Sequence, residues 1–341
     1  MATSATKTKQ PGGKRAAKSA QPKKAAAWKM RRAGGVQILE APSLARLDWL
    51  THGFSTRPDG ASELPAAGRV DGAHSKRTAS GAAGVLNLGF TDWDTRERVL
   101  ENRAKFFRGL GAEKMRVVTL RQFHSDVIHR VDRADAADAS NGAEQPKADA
   151  LFTREPGVLL AVQTADCIPV LLADPKQRAV AAIHSGWRGT LARIAAKTLG
   201  RMQMEFGTRP EDVIAAIGPG IGGCCYEVGS DVAREFHSQF PEAREWFDGP
   251  FDALASGEND PNWLPWLTMR PPGHSPRPPR VHLDLIAANR AILAAAGVPA
   301  RQISASDFCT ACRTDLFFSY RRERTTGRLM AAIGMKRPGL S

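Results

Sequence analysis

Apolar residues along this chain fall into two rhythms. Short continuous runs, GVLLAV (157–162), IPVLLA (168–173) and RAVAAI (178–183), read as three strand candidates in quick succession. RVVTL and VIHRV are two more short β-like runs, joined by RQFHSD, and DVIAAI is another strand that leads into GPGIGGCCYEVG. The second rhythm is helical. In TDWDTRERVLENRAKFFRGLG, Asp94 is a candidate N-cap, Val99, Leu100, Phe106 and Phe107 supply an apolar stripe, and glycines stop the helix. LARIAAKTLGRMQMEFG places Leu191, Ile194, Leu199, Met202 and Phe206 on one side and closes at Gly207. DLIAANRAILAAAG is a third helix, and DLFFSYRRE…GRLMAAIGM reads as a closing strand pair. Between these elements lie an apolar segment running into a Gly/Asp turn (LARLDWLTHGFSTRPDGAS), a polar loop (VDGAHSKRTASGAAG), an Ala/Asp/Gln loop at 133–148 and a Pro-rich insertion at about 249–282. No internal repeat or second core is visible. The pattern is that of one mixed α+β domain of roughly 300 residues, at the large end for a single core.

Composition changes the picture at the N-terminus. Residues 1–35 carry ten of the Lys and Arg residues and no acid, with little apolar beyond Ala, Trp28 and two Met. Such a stretch cannot bury enough to offset its chain entropy, so it reads as a disordered basic tail ahead of a single folded domain at 36–341. Ten of the thirteen net positive charges sit there, which leaves the body nearly neutral. Weak nonspecific nucleic-acid contact through the tail, by phosphate contacts without base readout, is the partner reading this charge supports. No secretory h-region and no membrane-length apolar run occur, so the expectation is a cytoplasmic protein with no membrane partner. Five Cys without a signal segment fit a reduced compartment better than a disulfide frame.

The 164–189 stretch, TADCIPVLLADPKQRAVAAIHSGWRG, puts a cysteine and a histidine at opposite ends of an apparent hairpin. A turn over DPKQ, 174–177, sets Cys167 directly opposite His184, with Cβ atoms about 4.5–5.5 Å apart, close enough to share one metal ion. A third ligand is found most readily in His124 of RQFHSD, a polar loop between strands, whereas His129 alternates with Val127 and Val131 inside a strand. A buried core cysteine and a backbone-bonded loop histidine are the plain alternatives for Cys167 and His124.

On these residues the chain resembles the YfiH-type proteins, long described as laccase-domain or polyphenol oxidase proteins and later recognised as purine nucleoside phosphorylases. The matching segments are QFHSD, TADCIPVLL, HSGWRG, HGFSTR (52–57), LNLG (86–89), ENR (101–103), IGPGIGGCCYEVG (217–229) and CTACRTDLFFSYRRERTTGR (309–328), in order over about residues 50–335. The basic tail and the Pro-rich segment depart from the pattern. The resemblance implies a layered α/β/β/α fold of CNF1/YfiH type with mixed β-sheets flanked by helices. It also implies His124, Cys167 and His184 as metal ligands, purine nucleoside and phosphate as substrates, and adenosine deamination as a second capacity.

Two His and one Cys suit Zn²⁺ with one position open, copper being the alternative ion. A multicopper oxidase needs about ten His, mostly in spacings such as His-x-His, to build its copper sites. This chain has eight His and no His-x-His. The zinc deaminase signature is missing too, because CTAC follows no Pro and no His-x-Glu precedes it. Phosphate calls for an Arg clamp, and the candidates are Arg57, Arg188 and Arg321, with Arg322 read as a surface or structural ion pair. Asp166 is the candidate proton carrier and Glu227 a candidate for orienting a histidine or substrate. GPGIGG has the spacing of a dinucleotide loop but not its context, since no helix opens from it. Cys224 and Cys225 read as buried structural thiols, not as ligands. The function expected is a zinc-dependent purine nucleoside phosphorylase, a transferase acting as a monomer on adenosine, inosine, guanosine or methylthioadenosine. Two alternatives stand beside it: a metal-dependent amide hydrolase that edits peptidoglycan precursors, which the same resemblance also implies, and a nucleic-acid-tethered protein acting through its tail.

Overall fold

The continuous apolar runs become strands with both faces covered. In the computed structural model, which describes residues 27–65, 84–132, 145–255 and 280–337, two six-stranded sheets lie face to face between helices. One has the order Lys29–Ala33, Val36–Glu40, Leu50–Ser55, Leu329–Met335, Val158–Thr164, Arg116–Val118. The other runs Ile303–Ala305, Ile214–Ile217, Ile168–Asp174, Ala179–Ser185, Ala150–Thr153, Ile128–Arg130. Side chains alternate between two layers, as the pleat requires. Leu171, Ala173, Val180 and Ala182 face the first sheet, meeting Leu160, Val162, Ala331 and Ile333. Val170, Leu172, Ala181 and Ile183 face the other way, onto Ile194–Phe206 and Leu285–Ala295. The outer face of the first sheet, with Leu159, Ala161 and Ala332, is covered by Phe106 and Leu110 of the Arg96–Gly109 helix and its end. This is the expected α/β/β/α layering. Truncating one centre-layer side chain, as in Leu171→Ala, costs about 2–5 kcal/mol.

Several boundaries differ from expectation, each for a local reason. Residues 29–35 are not part of a disordered tail. Lys29–Ala33 pairs with Val36–Glu40 around Gly34 and Gly35, whose φ values of 62° and 80° are those a two-residue primed turn needs. Its charged residues are tolerated because it is an edge strand, where Arg31 also bonds Glu40 (2.8 Å) and the Gly109 carbonyl (3.0 Å). Residues 1–26 lie outside the described residues.

The first helix is capped by Thr95, which accepts from the N–H of Arg98, while Asp94 instead accepts from Ser62 and Asn87. Its buried face is Val99, Asn102, Arg103 and Phe106, and Leu100 is exposed. The helix expected from Leu191 is two helices, Trp187–Leu191 and Ile194–Phe206, because Arg193 adopts a left-handed φ of 58°. Only the second arm of the closing pair is a strand. Leu329–Met335 pairs between Leu50–Ser55 and Val158–Thr164, while Tyr320–Glu323 is one helical turn capped by Ser319. The 249–282 insertion contributes Phe251–Ala255 and the strand Val281–Leu283, which joins Glu227–Val228 and Phe247–Asp248 in a small third sheet. Its residues 256–279 lie outside the described residues, as do most of the 70–84 and 133–148 loops.

The central hairpin has a different register from the expected one. Asp174 pairs with Ala179 and His184 with Pro169, so the pairing is shifted by two residues from the register that a DPKQ turn sets. Cys167 is therefore diagonal to His184, not opposite. A shift of two keeps both on one face of the sheet; a shift of one would have separated them.

Candidate metal centre and its surroundings

That shared face ends at a cluster of donors. One donor atom from each of His124, Cys167 and His184 lies within 4.8 Å of the other two. Cys167 Sγ is 3.7 Å from His124 Nε2, and the two imidazole rings meet edge to face with centroids 5.0 Å apart. His184 comes from the end of Ala179–Ser185, Cys167 from just before Ile168–Asp174, and His124 from the 119–127 loop. His124 and Asp166 both have left-handed backbone, φ 64° and 93°. Non-glycine residues hold that conformation only where surrounding bonds fix it.

At His124 the bonds that fix it come from Asp149, a residue the sequence reading passed over. Its carboxylate is fully buried. One oxygen accepts from His124 N–H (3.1 Å) and His184 Nδ1 (2.8 Å). The other accepts from the N–H groups of Phe123 (3.3 Å) and Ser125 (2.7 Å) and from the Ser125 hydroxyl (2.7 Å). Burial alone would raise this carboxyl, but the bonds from His184 and Ser125 hold it well below the usual carboxylate range. By accepting the hydrogen bond from Nδ1–H, Asp149 leaves His184 Nε2 to face a metal. A lone Asp in the apolar run Ala148–Phe152 was the available signal, since a buried carboxylate requires partners.

Gly186 was missed as well. A Cβ there would lie 2.9 Å from Cys167 Sγ and 3.3 Å from His124 Cδ2, so the glycine makes room for the donors. Burial opposes the Cys167 thiolate, but the positive charge of His184 and the bond to His124 bring the thiol down to about 6. Burial likewise opposes a charged His184, yet the thiolate and Asp149 raise it to about 9. Without metal, the pair is a thiolate and an imidazolium at neutral pH. The donor set, the oriented imidazole and the space kept by Gly186 fit a tetrahedral ion with one open position.

The other expected site residues divide. Arg57 is bound to Glu323 (2.6 Å) and the Thr314 carbonyl (2.8 Å) and lies over Phe318, which makes it a clamp between segments and not a free phosphate ligand. Asp166 accepts from the Thr310 hydroxyl (2.7 Å) and the Arg321 N–H (2.6 Å), one bond to each oxygen, so it holds the loop beside Cys167. Arg321 donates to the Glu227 carbonyl (2.8 Å) and lies over the Tyr226 ring. The Glu227 side chain pairs with Arg280, and its partner across the small sheet is His282. Arg188 is exposed and stacks on Trp187, with its guanidinium carbon 4.4 Å from the ring centroid.

Two residues join this group. Burial, and then the Cys167 charge, push the Tyr226 hydroxyl up to about 12, with Arg321 and Arg188 acting in the opposite sense, so all four share one electrostatic neighbourhood. Arg328 is half-buried, its charge disfavoured by burial and favoured by Tyr320, Cys167 and Asp166. Its guanidinium donates to two carbonyls, of Thr326 and Gly327, and forms no ion pair with a carboxylate among the described residues. LNLG explains its placement. Asn87 accepts from the Arg328 N–H (2.9 Å), and a Cβ on Gly89 would lie 2.5 Å from Arg328 Cγ. GPGIGG is a loop with no helix following it, as expected. Cys224 and Cys225, read as buried and uninvolved, instead lie with Cys309 and Cys312 in a second donor cluster, and Cys224 is exposed.

Residues 51–336 match the family model described as multi-copper polyphenol oxidoreductase laccase. A purine nucleoside phosphorylase of Deinococcus radiodurans is 38% identical over 308 residues, 89% of this chain and 95% of that protein. An adenosine deaminase of an unknown prokaryotic organism is 34% identical over 258 residues, 75% of this chain and 86% of that one. The crystal structure of Bacillus licheniformis YfiH superimposes with a TM-score of 0.70 at 31% identity, covering 90% of this chain and 99% of that one. Among the described residues, the donor clusters are one of two His and a Cys and one of four Cys, neither of them an imidazole-built trinuclear copper site. By matched span, relatives and fold, the chain belongs to this laccase-like family, of YfiH type.

Proposed function

We propose that the protein is a zinc-dependent purine nucleoside phosphorylase, acting on adenosine, inosine, guanosine or methylthioadenosine, with adenosine deamination as a second capacity. The observation that carries this reading is the convergence of His124, Cys167 and His184 on one point, beside guanidinium groups able to take phosphate. The names of the relatives agree with it. Thiolate plus imidazole suits zinc, and copper second. Bound there, zinc would supply a Lewis acid and a water of lowered pKa.

The chain's own residues carry the rest. Arg328 and Arg188 offer planar forks for a phosphate dianion, with Arg321 fixed behind Tyr226. Phe123, exposed beside His124, offers a flat apolar surface for the purine. As the glycosidic C–N bond breaks, positive charge grows on the ribose carbon, which the held phosphate attacks to form the new C–O bond. The departing purine nitrogen keeps the electron pair and needs a proton or a donor. Tyr226 stays protonated at neutral pH and can donate to it. Asp166 serves by position, with both oxygens already engaged.

Chromatography of adenosine incubations, with and without phosphate, tests the proposal beside Cys167→Ala. Phosphate-dependent adenine and ribose 1-phosphate, lost together with zinc in the variant, is the expected result. Inosine without phosphate would make deamination the main reaction. No turnover by zinc-loaded protein would remove the nucleoside reading and favour amide hydrolysis of peptidoglycan precursors.

A further inference from the structure

Four of the five cysteines take no part in the site described. Cys224 and Cys225 follow the glycine loop, and Cys309 and Cys312 sit in the CTAC segment 84 or more positions later in the chain. One sulfur from each lies within 4.8 Å of the other three. The close separations are 3.8 Å for Cys224–Cys225, 3.6 Å for Cys224–Cys312 and 3.4 Å for Cys225–Cys312. Four thiolates about 2.3 Å from a tetrahedral Zn²⁺ would stand about 3.8 Å apart. A disulfide needs about 2.05 Å, so the cluster has the dimensions of a tetrahedral cage and not of a bridge.

Its surroundings are those of ligands. The Gly222 N–H donates to Cys309 Sγ at 3.2 Å, and a Cβ on Gly222 would lie 3.3 Å from Cys224 Sγ, so the backbone is drawn against the sulfurs. Arg322, expected in a surface or structural ion pair, forms none among the described residues. It donates instead to Cys225 Sγ (3.5 Å) and to the Ala311 carbonyl (3.2 Å), setting a positive charge beside the thiols. A tetrathiolate around a divalent ion carries net negative charge, which a neighbouring guanidinium offsets. Two loops distant in sequence, joined by the Gly220–Cys309 bridge and the Thr310 N–H to Gly220 carbonyl bond (2.9 Å), meet at this point.

We propose that Cys224, Cys225, Cys309 and Cys312 form a second, structural zinc site of tetrathiolate type, closed to substrate. All four positions are protein ligands, which marks a structural ion and not a catalytic one. The site locks the glycine loop to the 309–312 segment. From Cys309 the chain passes to Thr310, whose hydroxyl holds Asp166 beside Cys167, so the second ion braces one wall of the first.

Elemental analysis and zinc-edge X-ray absorption on the full chain, purified reduced and without chelator, decide the matter. Two zinc per chain are expected, with an average of about 2.5 sulfurs per zinc, from four at one site and one at the other. Cys312→Ser drops the count to one and the sulfur average to about one. His184→Ala also leaves one zinc, now with about four sulfurs. If either variant misfolds, the wild-type stoichiometry and sulfur count still decide. One zinc per chain with about one sulfur overturns the proposal, as does a Cys225–Cys312 disulfide in the reduced preparation.

Discussion

Asp149→Asn isolates the residue that organises the His124, Cys167 and His184 donor cluster. The amide keeps the shape of the carboxylate but replaces one acceptor oxygen by an NH₂ that only donates. In one orientation the NH₂ faces His124 N–H and His184 Nδ1, which forces the imidazole proton onto Nε2, the nitrogen that would face the metal. In the other it faces the N–H groups of Phe123 and Ser125 and the Ser125 hydroxyl. Either way at least one buried donor loses its acceptor, at about 1–3 kcal/mol each, so the metal-free protein loses roughly 2–4 kcal/mol. Removing such an outer-sphere partner weakens metal binding about 10–100-fold. Competition with a chromophoric chelator reads the zinc affinity, and urea titration of metal-free protein reads stability. The expected result is a lowered midpoint at unchanged m, with zinc affinity down 10-fold or more. An Asp149→Asn protein that binds zinc as the wild type does would refute the assignment.

The remaining predictions concern protons, space and phosphate. With Cys167 near 6 and His184 near 9, zinc binding displaces one proton between those values. Zinc affinity at this cluster therefore rises about tenfold per pH unit in that window and levels off above it, and calorimetry of Cys312→Ser protein at neutral pH in buffers of different ionisation enthalpy that detects no proton release refutes this. In the metal-free protein the raised His184 contributes stability that is full below 6.5 and lost as pH rises through about 9, while the lowered Cys167 contributes stability present above 9.0 and lost as pH falls through about 6. Gly186→Ala, whose φ of −75° tolerates alanine, pushes on Cys167 Sγ and cuts zinc affinity and turnover by 10-fold or more, with stability changed by about 1 kcal/mol or less. Unaltered zinc binding counts against the crowding argument. Arg328→Ala raises the KM for phosphate about 10-fold or more at nearly unchanged KM for nucleoside, whereas Arg57→Ala lowers thermal stability and leaves the phosphate KM alone. The reverse pattern would exchange their roles.

What could be read from the chain in advance was whatever is written locally. Continuous apolar runs specified covered strands, Gly207 specified a helix end, and the hairpin brought Cys167 and His184 to one face even though its register was off by two residues. Family resemblance supplied the layered fold and pointed to His124, Cys167 and His184 as a donor set, which the fold brings together. Tertiary structure alone decided which polar groups answer one another across the fold. Asp149 meets the 123–125 loop from 24 to 26 positions away, Arg57 is occupied by Glu323, and among the described residues Arg328 rather than Arg57 is left without a carboxylate ion pair. The four cysteines separate in sequence become one cluster by the same route. The physical reason is range: backbone pattern and propensity act over a few residues, whereas a buried charge or thiol is defined by whichever partners the packed layers bring within about 3–4 Å of it.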